Sequence, residues 1–217
     1  MSENKGLLSN FTGIIKSPKR TFNLIESKDF KKGFLIVLIN AGLSVLAEFN
    51  YGMKMDLLKF LPTGNNFTLI NPETFRRNLV TIISLFNGLG VIVGWFILSI
   101  IAYSISRSSS MHGGFKRLAT LIGFTYLPLM FQQIIRVVDS YIIPEEFLNA
   151  YIQSRNQSYI GSLANVAVRT FSIFGIWTFI LTVLAISNNS NLSIKKSILI
   201  TIAIYSLYII LRTFLPI

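Results

Sequence analysis

The chain has a single histidine, His112, set in the run SSSMHGGFKR. An imidazole acts as a general base or a metal ligand only when a second group is fixed beside it. The nearest carboxylates in sequence are the distant Glu73 and Asp139. Gly113-Gly114 lacks the GxxxxGK[ST] frame of a phosphate-binding loop, and neither HExxH nor GxSxG occurs. Glu145-Glu146 resembles the acidic pair of some intramembrane proteases, without the arginine and histidines that should accompany it. There is no cysteine, which removes disulfides, thiolate metal sites and cysteine nucleophiles. No catalytic residue, cofactor or metal is therefore expected, and the chain does not read as an enzyme.

The remaining chemistry lies in polar groups at membrane depth, where an ionisable residue is a functional candidate by default. Glu48 comes 14 residues after Phe34, about 21 Å along a helix. Gln132, Gln133 and Arg136 approach the same level from another segment, Arg169 from a third and Arg212 from a fourth. These six form a candidate intramembrane polar cluster. A carboxylate facing one of the arginines would relieve a lone buried charge. The plainer alternative is that the first span ends early and leaves Glu48 wet at the interface.

The elements carrying these groups belong in a bilayer. Of 217 residues, 52% are hydrophobic and 13% charged, against about a quarter charged in soluble domains; mean hydropathy is +0.58. The net charge of +11 could suit nucleic acid, but no basic folded domain is evident to present it, so no nucleic-acid partner is expected. On a membrane protein the same excess marks cytoplasmic flanks and anionic headgroups. No removable signal peptide is expected at MSENKGLLSNFTG.

Five apolar runs approach the ~20 residues that cross ~30 Å of hydrocarbon: about 34–51, 79–105, 115–138, 163–186 and 194–215. The expected fold is an all-α polytopic bundle of five transmembrane helices (33–217), since lone strands cannot satisfy their backbone in lipid. Twelve of the 20 Lys and Arg fall in 1–33, 106–117 and 187–196, which places the N-terminus in the cytoplasm and the C-terminus outside. Residues 1–32 read as a cytoplasmic amphipathic segment. Leu7, Leu8, Phe11, Ile14 and Ile15 share one helical face, and Ser17-Pro18 starts a second helix. With Phe22 and Ile25 opposed by Lys19, Arg20, Lys28, Lys31 and Lys32, the pattern is that of an interfacial helix on an anionic leaflet.

Within the spans, Gly90 and Gly94 form a GxxxG motif that favours packing inside the chain, with a homo-oligomer face as the other use. Asn40 and Asn87 are expected to hydrogen-bond between helices, at about 1 kcal/mol each. Pro128 is expected to kink the third span. MHGGFKRLATLIGFTYLPLMF thus reads as a cytoplasmic turn, a basic anchor at Lys116 and Arg117, and a kinked helix.

Two motifs carry a family resemblance. One is Pro18 followed by Phe22 in a basic pre-membrane helix. The other is Gly113-Gly114-Phe115-Lys116 leading into Gly123-Phe124-Thr125-Tyr126-Leu127-Pro128. With five spans and a cytoplasmic N-terminus, the chain resembles the Yip family of multi-pass membrane proteins, in particular its bacterial branch. The resemblance implies no catalytic residues. Eukaryotic members look like trafficking adaptors for Rab-type GTPases, but the long cytosolic region with its acidic motif is not seen here. At least one bacterial relative is associated with an ABC-type exporter that protects against a toxic peptide. The leading expectation is a non-enzymatic protein of the bacterial cell membrane that binds other membrane proteins, an ABC-type exporter among them, and contacts anionic headgroups through its N-terminal segment. The alternative is a small transporter, channel or lipid-handling protein using the polar cluster in the outer half of the bundle.

Overall fold

The computed structural model describes residues 6–55, 71–106, 114–148 and 172–214, with the backbone alone for 211–214. Its helices are α1 (Leu7–Lys16), α2 (Pro18–Leu24), α3 (Phe30–Lys54), α4 (Pro72–Ser106), α5 (Phe115–Thr125), α6 (Leu127–Ile142), α7 (Ile173–Ser190) and α8 (Ile194–Phe214). No strand occurs among the described residues. Among the described residues, four stretches are long and apolar enough to cross a membrane: Ser27–Lys54, Pro72–Ser106, Phe115–Ile142 and Ile173–Ser190.

α3 is the central helix and packs on α4, α5 and α6. Its entry is fixed by a 3₁₀ turn, Ser27–Asp29, closed by a reciprocal capping box between Glu26 and Asp29. Asp29 also pairs with Lys32 at 2.7 Å. Gly33, Ile36, Val37, Asn40, Ala41, Ser44 and Ala47 form its buried face, the three-and-four spacing of a helix with one side inward.

Where α3 crosses α5 the backbones nearly touch. A Cβ on Gly33 would stand 2.7 Å from the Thr120 carbonyl oxygen, and one on Gly123 would stand 2.7 Å from the Gly33 carbonyl oxygen. Only glycine fits at either position. Beside the crossing, the Trp95 indole donates to the Ala119 carbonyl at 3.1 Å, and Phe30 and Phe34 pack against the same ring.

The third span is broken rather than smoothly kinked. α5 ends at Thr125, Tyr126 forms a turn, and α6 restarts with Pro128 in its first turn. Proline has no N–H to give the helix. The buried Asn40 amide donates to the Tyr126 carbonyl at 3.2 Å, bracing the break from α3. Asn87 differs from expectation, because its amide returns to the Ile83 carbonyl of its own helix.

α7 begins at Ile173, where the Ser172 hydroxyl accepts from Gly175 N–H at 3.2 Å, a serine N-cap. It runs on to Ser190, past the expected end at 186. The expected start at 163 lies outside the described residues. Asn191, at φ 49°, adopts the left-handed conformation that turns the chain into α8.

The N-terminal pair is docked on the bundle. Ile14, Phe22 and Ile25 are buried in one cluster with Ile36, Leu121, Phe124, Leu127 and Leu181, and Leu7 and Phe11 pack against it. Much of the face expected to rest on lipid therefore rests on protein, because the broken α5–α6 unit and α7 offer it apolar side chains. Leu8, Ile15 and Leu24 remain outward.

Candidate functional site

Three of the polar groups nominated by the sequence, Glu48, Gln133 and Arg136, converge where the last two turns of α3 meet α6. Glu48 lies 18 residues along α3, about 27 Å from its start. Its carboxylate forms an ion pair with the Arg136 guanidinium of α6, and Arg136 donates a second hydrogen bond to Gln133 Oε1 at 3.1 Å. The two charged side chains are 27% and 29% exposed. Protein does not fully enclose the pair, and where headgroup water meets it the attraction is weaker than that of a buried ion pair.

Residues that sequence reasoning passed over complete the arrangement. The Tyr51 hydroxyl stands 2.7 Å from Asp139 Oδ2 and 3.1 Å from the Arg136 carbonyl, sharing its proton between them. The Arg136 guanidinium lies 6.0 Å from the Tyr51 ring centroid, within the range of a cation–π contact. Asn50 donates to Ser140 Oγ at 3.2 Å. Lys54 donates to the carbonyls of Tyr141 (2.9 Å) and Ile143 (2.8 Å), satisfying oxygens freed at the end of α6. Arg76 of α4 donates to the Met53 carbonyl, while its buried Nε has no partner among the described residues.

This is a collar of two carboxylates, Glu48 and Asp139, and three cations, Lys54, Arg76 and Arg136, stitching α3 to α6 and α4. Spacing held the missing signal. Tyr51 falls one turn after Glu48 and Asp139 one turn after Arg136, so each helix presents two polar residues on one face. The collar's hydroxyl–carboxylate contact, Tyr51 to Asp139, ties α3 to α6. What the collar can do is clamp helices together or, if opened, present a carboxylate and a guanidinium to a polar ligand.

The other nominated residues have separate places. Gln132 is half-buried on α6 and takes no part in the pair. His112, Gly113 and Arg169 lie outside the described residues, and Arg212 is described by its backbone alone. Pro18 opens α2 and Phe22 is buried. Gly114 precedes α5, Phe115 meets Phe96 and Tyr103 edge-on, and Lys116 lies over the Phe30 ring at 6.0 Å. Gly123 makes the α3 crossing, so this part of the resemblance motif has a packing cause. Arg117, expected as a headgroup anchor, turns inward instead. It donates to the Ile25 carbonyl at 3.2 Å and to Asn188 at 2.7 Å, joining α5 to α7 and to the residue after α2.

Among the described residues the close approach of α4 to α3 does not fall at Gly94. Packing of α4 on α3 runs through Gly88, where a Cβ would stand 2.4 Å from Val45 and 3.2 Å from the Ala41 carbonyl oxygen. No described atom lies within 4 Å of a Cβ placed on Gly94. The buried face of α4 follows Val80, Ser84, Gly88, Trp95, Ser99, Ala102 and Ser106, which turns Gly90 and Gly94 to the flank.

These features define an integral membrane protein, a helical bundle with a glycine-crossed core and a polar collar. The chain belongs to the Yip1 domain family, whose model matches residues 12–215. No curated protein and no solved structure matches it.

Proposed function

We propose that this chain is a non-enzymatic protein of the bacterial cell membrane that binds other membrane proteins and assembles or modulates their complex. The observation that carries this reading is the outward flank of α4. Only 22% of the apolar window of α4 is buried, against 56% for the α5–α6 stretch. On that flank Gly94 leaves open space beside Ile97, which is 43% exposed. A small-residue notch on an apolar helix admits close approach of another helix backbone, which lipid tails cannot exploit in the same way. Membership of the Yip1 domain family agrees with a binding role, and an ABC-type exporter is the partner class that the bacterial resemblance implies.

In this reading α8, 21 residues and about 31 Å long, completes a fifth span. The N-terminus and residues 1–32 lie on the cytoplasmic side, and the C-terminus lies outside. The collar then sits near the outer leaflet as a structural clamp.

The test is purification of the tagged protein from its native membrane in mild detergent, with identification of what accompanies it. A stoichiometric membrane partner, lost in Gly94→Leu and retained in Glu48→Gln, is expected. Recovery of the chain alone, or only with copies of itself, would overturn the adaptor reading. A second reading, a polar pathway, is favoured by the Glu48–Arg136 pair and the unsatisfied Arg76 Nε. It requires solute or lipid flux in liposomes that Glu48→Gln abolishes.

A further inference from the structure

α1 and α2 enclose an open cleft of about 300 Å³, lined by Asn10, Thr12, Lys16, Ser17, Arg20 and Leu24 with their neighbours. The two helices are held close at Gly13, where a Cβ would stand 2.6 Å from the Thr21 hydroxyl. Their apolar undersides are buried in the bundle through Ile14 and Phe22, so the cleft is a fixed feature of the docked pair.

Three observations on different residues point to one ligand chemistry. Asn10 lines the cleft and is only 5% exposed, and its side-chain amide, which carries two donors, has no hydrogen-bond partner among the described residues. Lys16 and Arg20 line it as well, and neither is paired with a described carboxylate. The nearest described carboxylate downstream, Glu26, is taken by Lys28 at 3.0 Å. Leu24 also lines the cleft and is 53% exposed, with Leu8 at 79% and Ile15 at 44% on the same helix pair. Two free cations and a buried amide donor suit a phosphate group. An exposed apolar rim is superfluous for a free ion and useful for a phosphate that arrives with acyl chains.

We propose that this cleft binds a phosphate group and that its source is an anionic lipid headgroup. Lys16 and Arg20 neutralise the phosphate, the Asn10 amide donates to one of its oxygens, and Leu24 and Leu8 enter the acyl region beside it. This rests on the reading that residues 1–32 face the cytoplasmic leaflet, and it sharpens a diffuse attraction of basic residues to a headgroup site with named ligands.

The test is native mass spectrometry of the full-length protein in mild detergent, titrated with phosphatidylglycerol or phosphatidylcholine, with inorganic phosphate as competitor. Phosphatidylglycerol should be retained selectively. The Lys16→Gln/Arg20→Gln pair should lower that retention about tenfold, as expected when two charge-assisted contacts are lost. The Lys195→Gln/Lys196→Gln pair, which removes equal charge at the start of α8, should leave it unchanged. Equal loss in both pairs, or none in the first, overturns the site. Displacement of the lipid by equimolar inorganic phosphate overturns the lipid source and assigns the cleft to the free ion. If the cleft pair fails to fold by circular dichroism, Asn10→Asp decides, since it keeps side-chain size and repels phosphate; unchanged retention there overturns the proposal. Partner capture is read in the same preparations, so failure of the unaltered protein to retain phosphatidylglycerol while the partner is captured sinks the cleft and leaves the adaptor reading standing.

Discussion

The two ends of α3 are held by opposite means. Near Phe30 the helix is pressed onto α5 at Gly33 and Gly123 and flanked by the Trp95, Phe30 and Phe34 rings. Near Lys54 it is tied to α6 and α4 by side-chain hydrogen bonds and one partly exposed ion pair. The first contact depends on the absence of a side chain, the second on matching charges. Backbone crossings have one geometry and no slack. A partly exposed polar collar with several donors and acceptors can exchange partners at smaller cost. The crossing is therefore the fixed part of the molecule and the collar the part able to open.

Enlarging a residue at the crossing should have the greatest effect. Gly123→Ala sets a methyl group against the Gly33 backbone and should destabilise by about 1–3 kcal/mol, the cost of overpacking a full interior. Reversible unfolding in a denaturing detergent measures it, and a change below about 0.5 kcal/mol would show that the helices separate freely. At the collar, a double-mutant cycle of Glu48→Gln and Arg136→Gln should give a coupling of at most about 1 kcal/mol. A coupling above about 3 kcal/mol would mean a dry, rigid clamp and erase the contrast. Asn40→Leu removes the brace at Tyr126 and should cost about 1 kcal/mol. Asn87→Leu should be the mildest, within about 0.5 kcal/mol, because its amide bonds only to its own helix.

Much of this organisation is legible in the residues. Long apolar runs with few charges dictate helices, and the centres of α3, α4, the α5–α6 unit and α8 fall close to where hydropathy places them. Their ends are harder. α4 begins at Pro72, where the Asn71 carboxamide oxygen accepts from Thr74 N–H at 3.1 Å, and Asn-Pro is a readable start signal. Arg76 and Arg77 depress hydropathy there and conceal the first two turns. Glu48 stands out because a charge inside an apolar run is costly. Its choice of Arg136 depends on how α6 is rotated after the break at Tyr126, which spacing along one helix does not reveal. GxxxG drew attention to Gly90 and Gly94. The small residues Ser84, Gly88, Ser99, Ala102 and Ser106 mark the inward face through their helical period, a weaker motif with the more reliable geometry.

The most direct test of a membrane-protein partner is a photo-crosslinking side chain placed at Ile97, beside Gly94, in the native membrane. The account predicts one discrete adduct with a different membrane protein, abolished by Gly94→Leu and unaffected by Glu48→Gln. Crosslinking to lipid alone, with no protein adduct, would contradict it.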